Sequence, residues 1–356
     1  MKAKFFLIAL SLMLLSALVI GCSSSLQNSM IGVSMPSKNL QRWTQDGENI
    51  QRQLQAKGYQ VDLQFSDDSV AEQISQIASM IDNKCKILVI APIDGPALKD
   101  VLQQAADKKI KIISYDRLIL DSPNVDYYAT FNNYDVGTMQ GEYIEKVLDL
   151  KNGAGPFNME IFSGSEDDNN SKDFYRGAMD VLQTYIDEGT LVVPSGQIEK
   201  ADTSIQGWKS ESAQSRMHEL LQDYYSGDQK LDAILSANDS LALGVIWALR
   251  AAGYGTDKPF PILTGQDCDK ENVTAMLNGE QSMSVFKDTR ALASRTVEMI
   301  DDILVRKTAT VNDTTTFNNG VKTVPTYVCT PVYADKDNYK QVLILSGYYT
   351  EADLQQ

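Results

Sequence analysis

What most constrains this chain is an alternation that starts at Met30 and runs almost to its end. Short β-branched apolar runs take turns with longer segments of helical spacing. Residues 30–35, 59–65, 87–91 and 110–114 are the first four runs, and those without polar alternation suit strands buried on both faces. Between them lie 39–57, with Leu40, Trp43, Ile50 and Leu54 on one stripe, 70–83, with Ile74, Ile77 and Ile81, and 96–108. Gly58 reads as a helix C-cap and Pro96 as a first-turn residue. A β-α-β-α-β-α-β series of this kind requires a parallel sheet with right-handed crossovers.

A fifth strand is expected at 125–130, and a second series follows it. Helices are expected at 134–150, 174–188, 213–225, 240–252 and 270–277, with strands at 158–163, 191–197, 233–237, 261–265 and 282–287. A helix at 289–307, a polar loop at 308–319 and short strands near 321–329 and 342–345 complete the pattern. The fold class is therefore α/β: two doubly wound parallel-sheet lobes joined by a hinge, with a ligand cleft between them. The late elements are placed most economically if the chain recrosses between the lobes.

The 356 residues suffice for two such lobes, and a formal charge of −15 without any basic stripe excludes a nucleic-acid partner. Residues 1–21 read as a signal peptide: Lys2 and Lys4 precede an apolar run at 5–20, too short for the ~20 residues of a spanning helix. Val19, Ile20, Gly21 and Cys22 resemble the lipobox of bacterial lipoproteins, which makes Cys22 the lipidated residue and 22–29 a polar tether. Cys85, Cys268 and Cys329 remain, an odd number at no metal-ligand spacing. They read as small buried hydrophobes, with one disulfide among them allowed; with His218 the sole histidine, neither a metal nor a cofactor is expected.

In open α/β sheets a ligand sits outside the carboxyl ends of the strands. Those exits here carry Arg42 and Trp43, then Asp116 and Arg117, then Asp167, Asp168, Asn169 and Asn170. Later exits add Asn238 and Asp239, Gln266 and Asp267, and Lys287 with Asp288. Carboxylates, amides, Arg and Lys together satisfy hydroxyls that both donate and accept, so the set suits a pyranose. Trp43 and Trp208 are the candidate plates for its C–H face. Asp116 and Arg117 could instead merely pair with each other at a loop.

The stretches MPSKNLQRWTQDG, LVIAPIDG, ISYDRLI, YYATFNN, SGSEDDNNSKDFYRGAM, ILSANDSLALG, TGQD and VFKDTR together resemble the sugar-specific branch of the type I periplasmic binding proteins. The likeness is to xylose-binding and multiple-sugar-binding receptors of ABC importers. It implies sugar contacts from Arg42, Trp43, Asp116, Arg117, Asn169 or Asn170, Trp208, Asp239, Asp267 and Lys287. It also implies crossings near 128–132, 285–288 and 324–333, hence one lobe from 30–130 with 288–325 and another from 131–287 with 326–356. The function so implied is a lipid-anchored, extracytoplasmic, monomeric receptor that delivers xylose, glucose or galactose to a permease, with a chemoreceptor or sensor kinase as a further partner. A same-fold receptor for a nucleoside or non-sugar signal is one alternative. A secreted glycosidase using Asp167, Asp168, Asp239 or Asp267 is another. A sugar-responsive transcription regulator would need a helix-turn-helix where this chain has a signal peptide.

Overall fold

A computed structural model describes residues 28–354 except 228. The expected signal peptide and Cys22 lie outside the described residues. The chain runs β1 (Met30–Met35), α1 (Gln41–Ala56), β2 (Gln60–Phe65), α2 (Val70–Asp82), β3 (Ile87–Ile90), α3 (Lys99–Asp107), β4 (Lys111–Tyr115) and β5 (Tyr127–Phe131). It continues as α4 (Asn133–Val147), β6 (Phe157–Phe162), α5 (Asn170–Asp187), β7 (Leu191–Val192), α6 (Lys200–Thr203), α7 (Ser210–Tyr224), β8 (Ala233–Ser236), α8 (Asp239–Ala251), β9 (Ile262–Leu263), α9 (Lys270–Leu277) and β10 (Met283–Phe286). Last come α10 (Thr289–Leu304), β11 (Thr326–Cys329) and β12 (Val332–Asp335).

The first sheet has the order β11-β5-β4-β3-β1-β2, all parallel, and the second the order β7-β6-β8-β9. Strand alternation shows why helices cover both faces of the first sheet. Ile87 and Val89 of β3 join a core with Ile31, Val33, Trp43 and Ile50, whereas Leu88 and Ile90 join Ile77, Met80 and Leu102 on the other side. Side chains that alternate yet are all apolar need two covers.

Three crossings connect the lobes. At the first, between β5 and α4, the Asn132 side chain caps the helix by accepting from the Asp135 N–H; at the second, between β10 and α10, Asp288 does the same for Arg290. The third lies at Thr330 and Pro331, and here the expected boundary moves: β11 pairs in parallel with β5, so 326–329 belong to the first lobe's sheet and not to the second lobe. β12 then pairs antiparallel with β10, a strand that the sequence pattern did not separate. The expected strand at 342–345 is instead a π-helical turn, Lys340–Ile344, whose Leu343 packs with Phe286, Ala334 and Tyr349. Cys85, Cys268 and Cys329 are free and buried.

Candidate functional site

The site begins with a guanidinium in a helix. Arg42 sits in the first turn of α1 and is buried; it lies 2.8 Å from Asp46 one turn on, 2.8 Å from Asp116 and 3.5 Å from Asp267. Asp116 follows β4 in the left-handed region at φ 58, a conformation that short polar side chains tolerate. Its backbone carbonyl accepts from Tyr128, Thr130 and, across the cleft, the Asn170 amide at 3.0 Å. Arg117 next to it reaches Asp168 of the second lobe at 2.9 Å. Lys287, at the second crossing, holds Asp267 at 3.0 Å.

Arg42, Asp116, Arg117, Asp168, Asn170, Asp267 and Lys287 join Trp43, Phe174, Trp208, Asn238, Gln266 and Leu40 around one cleft, whose empty space, part of it open to solvent, is about 280 Å³. Three cations line it, Arg42, Arg117 and Lys287, and three carboxylates, Asp116, Asp168 and Asp267. Each cation has a carboxylate partner, so the lining is neutral as a whole. The contacts Arg42–Asp267, Arg117–Asp168 and Asn170–Asp116 all bridge the two lobes, which describes a closed cleft.

Burial alone would raise the Asp116 carboxyl, yet Arg42, Lys287 and Arg117 hold it below the ordinary range. Burial does prevail at Asp168, which is pushed up despite Arg117, and at Asp46, which rises to about 6. The Arg42 guanidinium stays charged: burial works against it, but Asp116, Asp46 and Asp267 more than offset that.

Besides Oδ1 of Asp116 and of Asp267, which have only their ion-pair contacts, two buried polar atoms in the lining have no partner among the described residues: the indole Nε1 of Trp208 and Oε1 of Gln266. A donor and an acceptor left over in a desolvated cleft are what a hydroxyl would complete. Trp208 stands edge-on to Phe174, with centroids 6.3 Å apart, and its ring covers Gly164, where a Cβ would lie 2.0 Å from the ring. Trp43 has a different part. Arg42 and Arg117 lie over its ring at 4.5 and 5.1 Å, so it seats both guanidiniums while lining the cavity.

Eight of the ten expected contact residues thus meet in one cavity, and two do not. Asn169 is only the N-cap residue of α5; the DDNN turn instead aims Asp168 and Asn170 inward. Asp239 lies under the floor, fully buried, where its carboxylate accepts from Gln281, Ser284 and the Asp269 N–H. It packs against Gly265, where any Cβ would come within 2.1 Å of its Oδ1. Asn238, one residue earlier, caps α8 and takes the lining position. Beneath the same floor the Gln140 amide donates to the carbonyls of Ser236, Ala237 and Gly265, and so pins two strand exits together. Burial and the neighbouring Asp269 raise the Asp239 carboxyl; burial and Asp267 raise that of Asp269. Sequence reasoning missed Phe174, although it stands one helical turn beyond Asn170 on the same face.

Comparison with known proteins agrees with this geometry. Residues 31–308 match the periplasmic binding protein domain. The chain is 51% identical over 323 residues to the multiple sugar-binding periplasmic protein SbpA of Azospirillum brasilense, covering 90% of each. Identity is also 51%, over 320 residues and 90% of each chain, with the multiple sugar-binding periplasmic receptor ChvE of Rhizobium radiobacter. A solved ABC transporter solute-binding protein from Clostridium phytofermentans, with bound β-D-glucose, superposes with a TM-score of 0.89 at 54% identity, over 92% of this chain and 100% of that one. With two parallel-sheet lobes closed over a polar cavity and a family match across most of its length, this chain belongs to the periplasmic binding proteins.

Proposed function

We propose that the chain captures one neutral monosaccharide of the glucose, galactose or xylose type between its lobes and delivers it to an ABC importer. The observation that carries this is the charge balance of the cavity. Its three cations are each neutralised by a carboxylate, so an anionic or cationic ligand would bring a charge with no counterpart, at the high cost of burying it unpaired. A polyol brings none, and its hydroxyls meet donors and acceptors on both lobes. The bound glucose of the Clostridium relative and the names of the two sugar receptors support the same ligand class. Binding without turnover follows from the pairing: Asp168 and Asp267 each face a cation, an arrangement built for holding hydroxyls.

In this reading the hinge residues around Asn132, Asp288 and Pro331 let the lobes part and close, and the closed form is what a permease or a sensory partner recognises. The chain acts as a monomer held at the outer side of a membrane through lipid on Cys22. A thermal-shift panel tests the ligand class. Saturation at 100 times Kd adds about 2.7 kcal/mol. For a chain of this size that raises the melting temperature by about 4 °C. D-glucose, D-galactose or D-xylose is expected to do so, whereas D-glucuronate and D-glucosamine are not. A larger shift with a charged sugar would refute the neutral-ligand reading.

A further inference from the structure

We propose that the base of the first lobe, the end remote from the cleft, is a basic face that rests on an anionic phospholipid bilayer. The proposal rests on the reading that Cys22 is the anchor. In a chain of charge −15, this face is an exception. Lys109 and Lys111 at the start of β4 share one groove with Arg306 and Lys307 at the end of α10. Lys84 and Lys86 stand at the start of β3, the strand between β1 and β4. Lys57, Lys108 and Lys111 are paired, with Asp301, Asp82 and Asp126. Among the described residues, no ion pair engages Lys84, Lys86, Lys109, Arg306 or Lys307, and all five are exposed.

Helix ends attract cations, because the macrodipole leaves negative charge there, and that alone would be an ordinary explanation. The second lobe argues against it. There α5, α8 and α9 are each followed by glycine in the left-handed region, Gly189, Gly253 and Gly279. At the matching positions after α2, α3 and α10 the first lobe carries Lys84, Lys109 and Arg306, at φ 63, 61 and 60, with Gly58 after α1 its one glycine there, while the second lobe's α4 is followed by an acid, Asp149. Glycine adopts that conformation without strain and a long side chain does not. The helices do not demand cations, but one face has them.

The tether leads to this same face. Ser29 and Met30 open β1, and their carbonyls accept from the Gln60 and Lys86 N–H groups, so the chain enters beside Lys86. The seven residues from Cys22 to Asn28 span at most about 25 Å when fully extended. A lipid on Cys22 therefore keeps the base within a few Debye lengths of the bilayer, near enough for charge to orient the lobe. Each Lys or Arg close to an anionic surface strengthens such contact by about fivefold.

The test uses the full lipidated chain, reconstituted in phosphatidylcholine vesicles and in vesicles that also contain phosphatidylglycerol, with amide hydrogen exchange as readout. Flotation with the neutral vesicles reports the anchor alone. Exchange at 84–86, 109–111 and 305–308 is expected to slow by at least about fivefold on the anionic vesicles, with the second lobe unchanged, and to recover at high salt. The Lys86→Glu/Lys307→Glu variant, altered only at exposed positions outside the left-handed region, should abolish the slowing yet still float; Lys84→Glu/Lys109→Glu is the second pair. Equal exchange on both vesicle types, or slowing that survives both variants, overturns the basic-face proposal even where flotation upholds the anchor. Failure to float on neutral vesicles refutes the anchor instead, and the base is then judged by its own binding to anionic vesicles, whose absence overturns it. Slowing by added polyglutamate but not by anionic vesicles would overturn the bilayer in favour of an acidic protein surface.

Discussion

Replacing Gly164 with alanine should separate the sugar site from the fold. A Cβ at this position would lie 2.0, 2.3 and 2.6 Å from three carbons of the Trp208 six-membered ring. Real Cβ atoms essentially never approach a neighbour below 3.0 Å, so the ring must move away. The backbone at Gly164 is outside the left-handed region, so alanine strains nothing else there. Phe174 stands edge-on to the indole and Ile205 is in the same core cluster, so the ring cannot slide freely. Overpacking of this kind costs about 1–3 kcal/mol. If the cost falls on the bound state, the affinity for D-glucose drops by about tenfold to a hundredfold. Calorimetric titration reads the affinity, and circular dichroism confirms that the fold persists. In a Trp208→Ala background the same substitution should change little, because the clash partner is gone. Affinity within about twofold of wild type, or an equal loss in the Trp208→Ala background, would refute the assigned role of the ring.

Asp168→Asn keeps the shape of the interlobe contact but leaves Arg117 without its carboxylate, so glucose affinity should fall by about thirtyfold or more; an unchanged titration would remove Asp168 from the grip. The raised carboxyl of Asp269 means that the folded state holds its proton more tightly than the unfolded state does, so this group makes stability fall as pH rises above about 4. Asp269→Asn should therefore flatten the decline of the melting temperature with pH, and parallel curves for the two proteins would contradict this. Cys22→Ser should abolish lipid incorporation, read as the loss of the acyl mass from the purified chain; an unaltered mass would place the anchor elsewhere.

Much of this arrangement is legible in the sequence, for a physical reason. Strands buried on both faces leave unbroken apolar runs, and their exits are where polar residues can gather, so β4 and the Asp116–Arg117 pair stand out. What is not legible depends on phase and pairing. The Asn238–Asp239 pair offers two polar groups at one exit, and only the helix phase decides that Asn238 caps and faces the cavity while Asp239 turns beneath Gly265. The DDNN turn holds the same ambiguity, resolved in favour of Asp168 and Asn170. Asn238 was the more recoverable, since Asn is among the favoured N-caps and an N-cap sits at the strand exit. Four-residue apolar runs carry too little periodicity to choose between strand and helix, which is why the pattern at 342–345 does not reveal its π-helical turn and that at 332–335 does not single out β12. Nor does local pattern say which sheet β11 joins, because parallel pairing with β5 is a long-range contact.

That both lobes grip one neutral sugar is tested by a calorimetric titration of D-glucose, D-galactose and D-xylose into the wild type and Arg117→Ala. One-to-one binding of at least one of them is expected, with loss of most of that affinity in the variant. No heat from any of the three sugars, or an undiminished titration in Arg117→Ala, would contradict it.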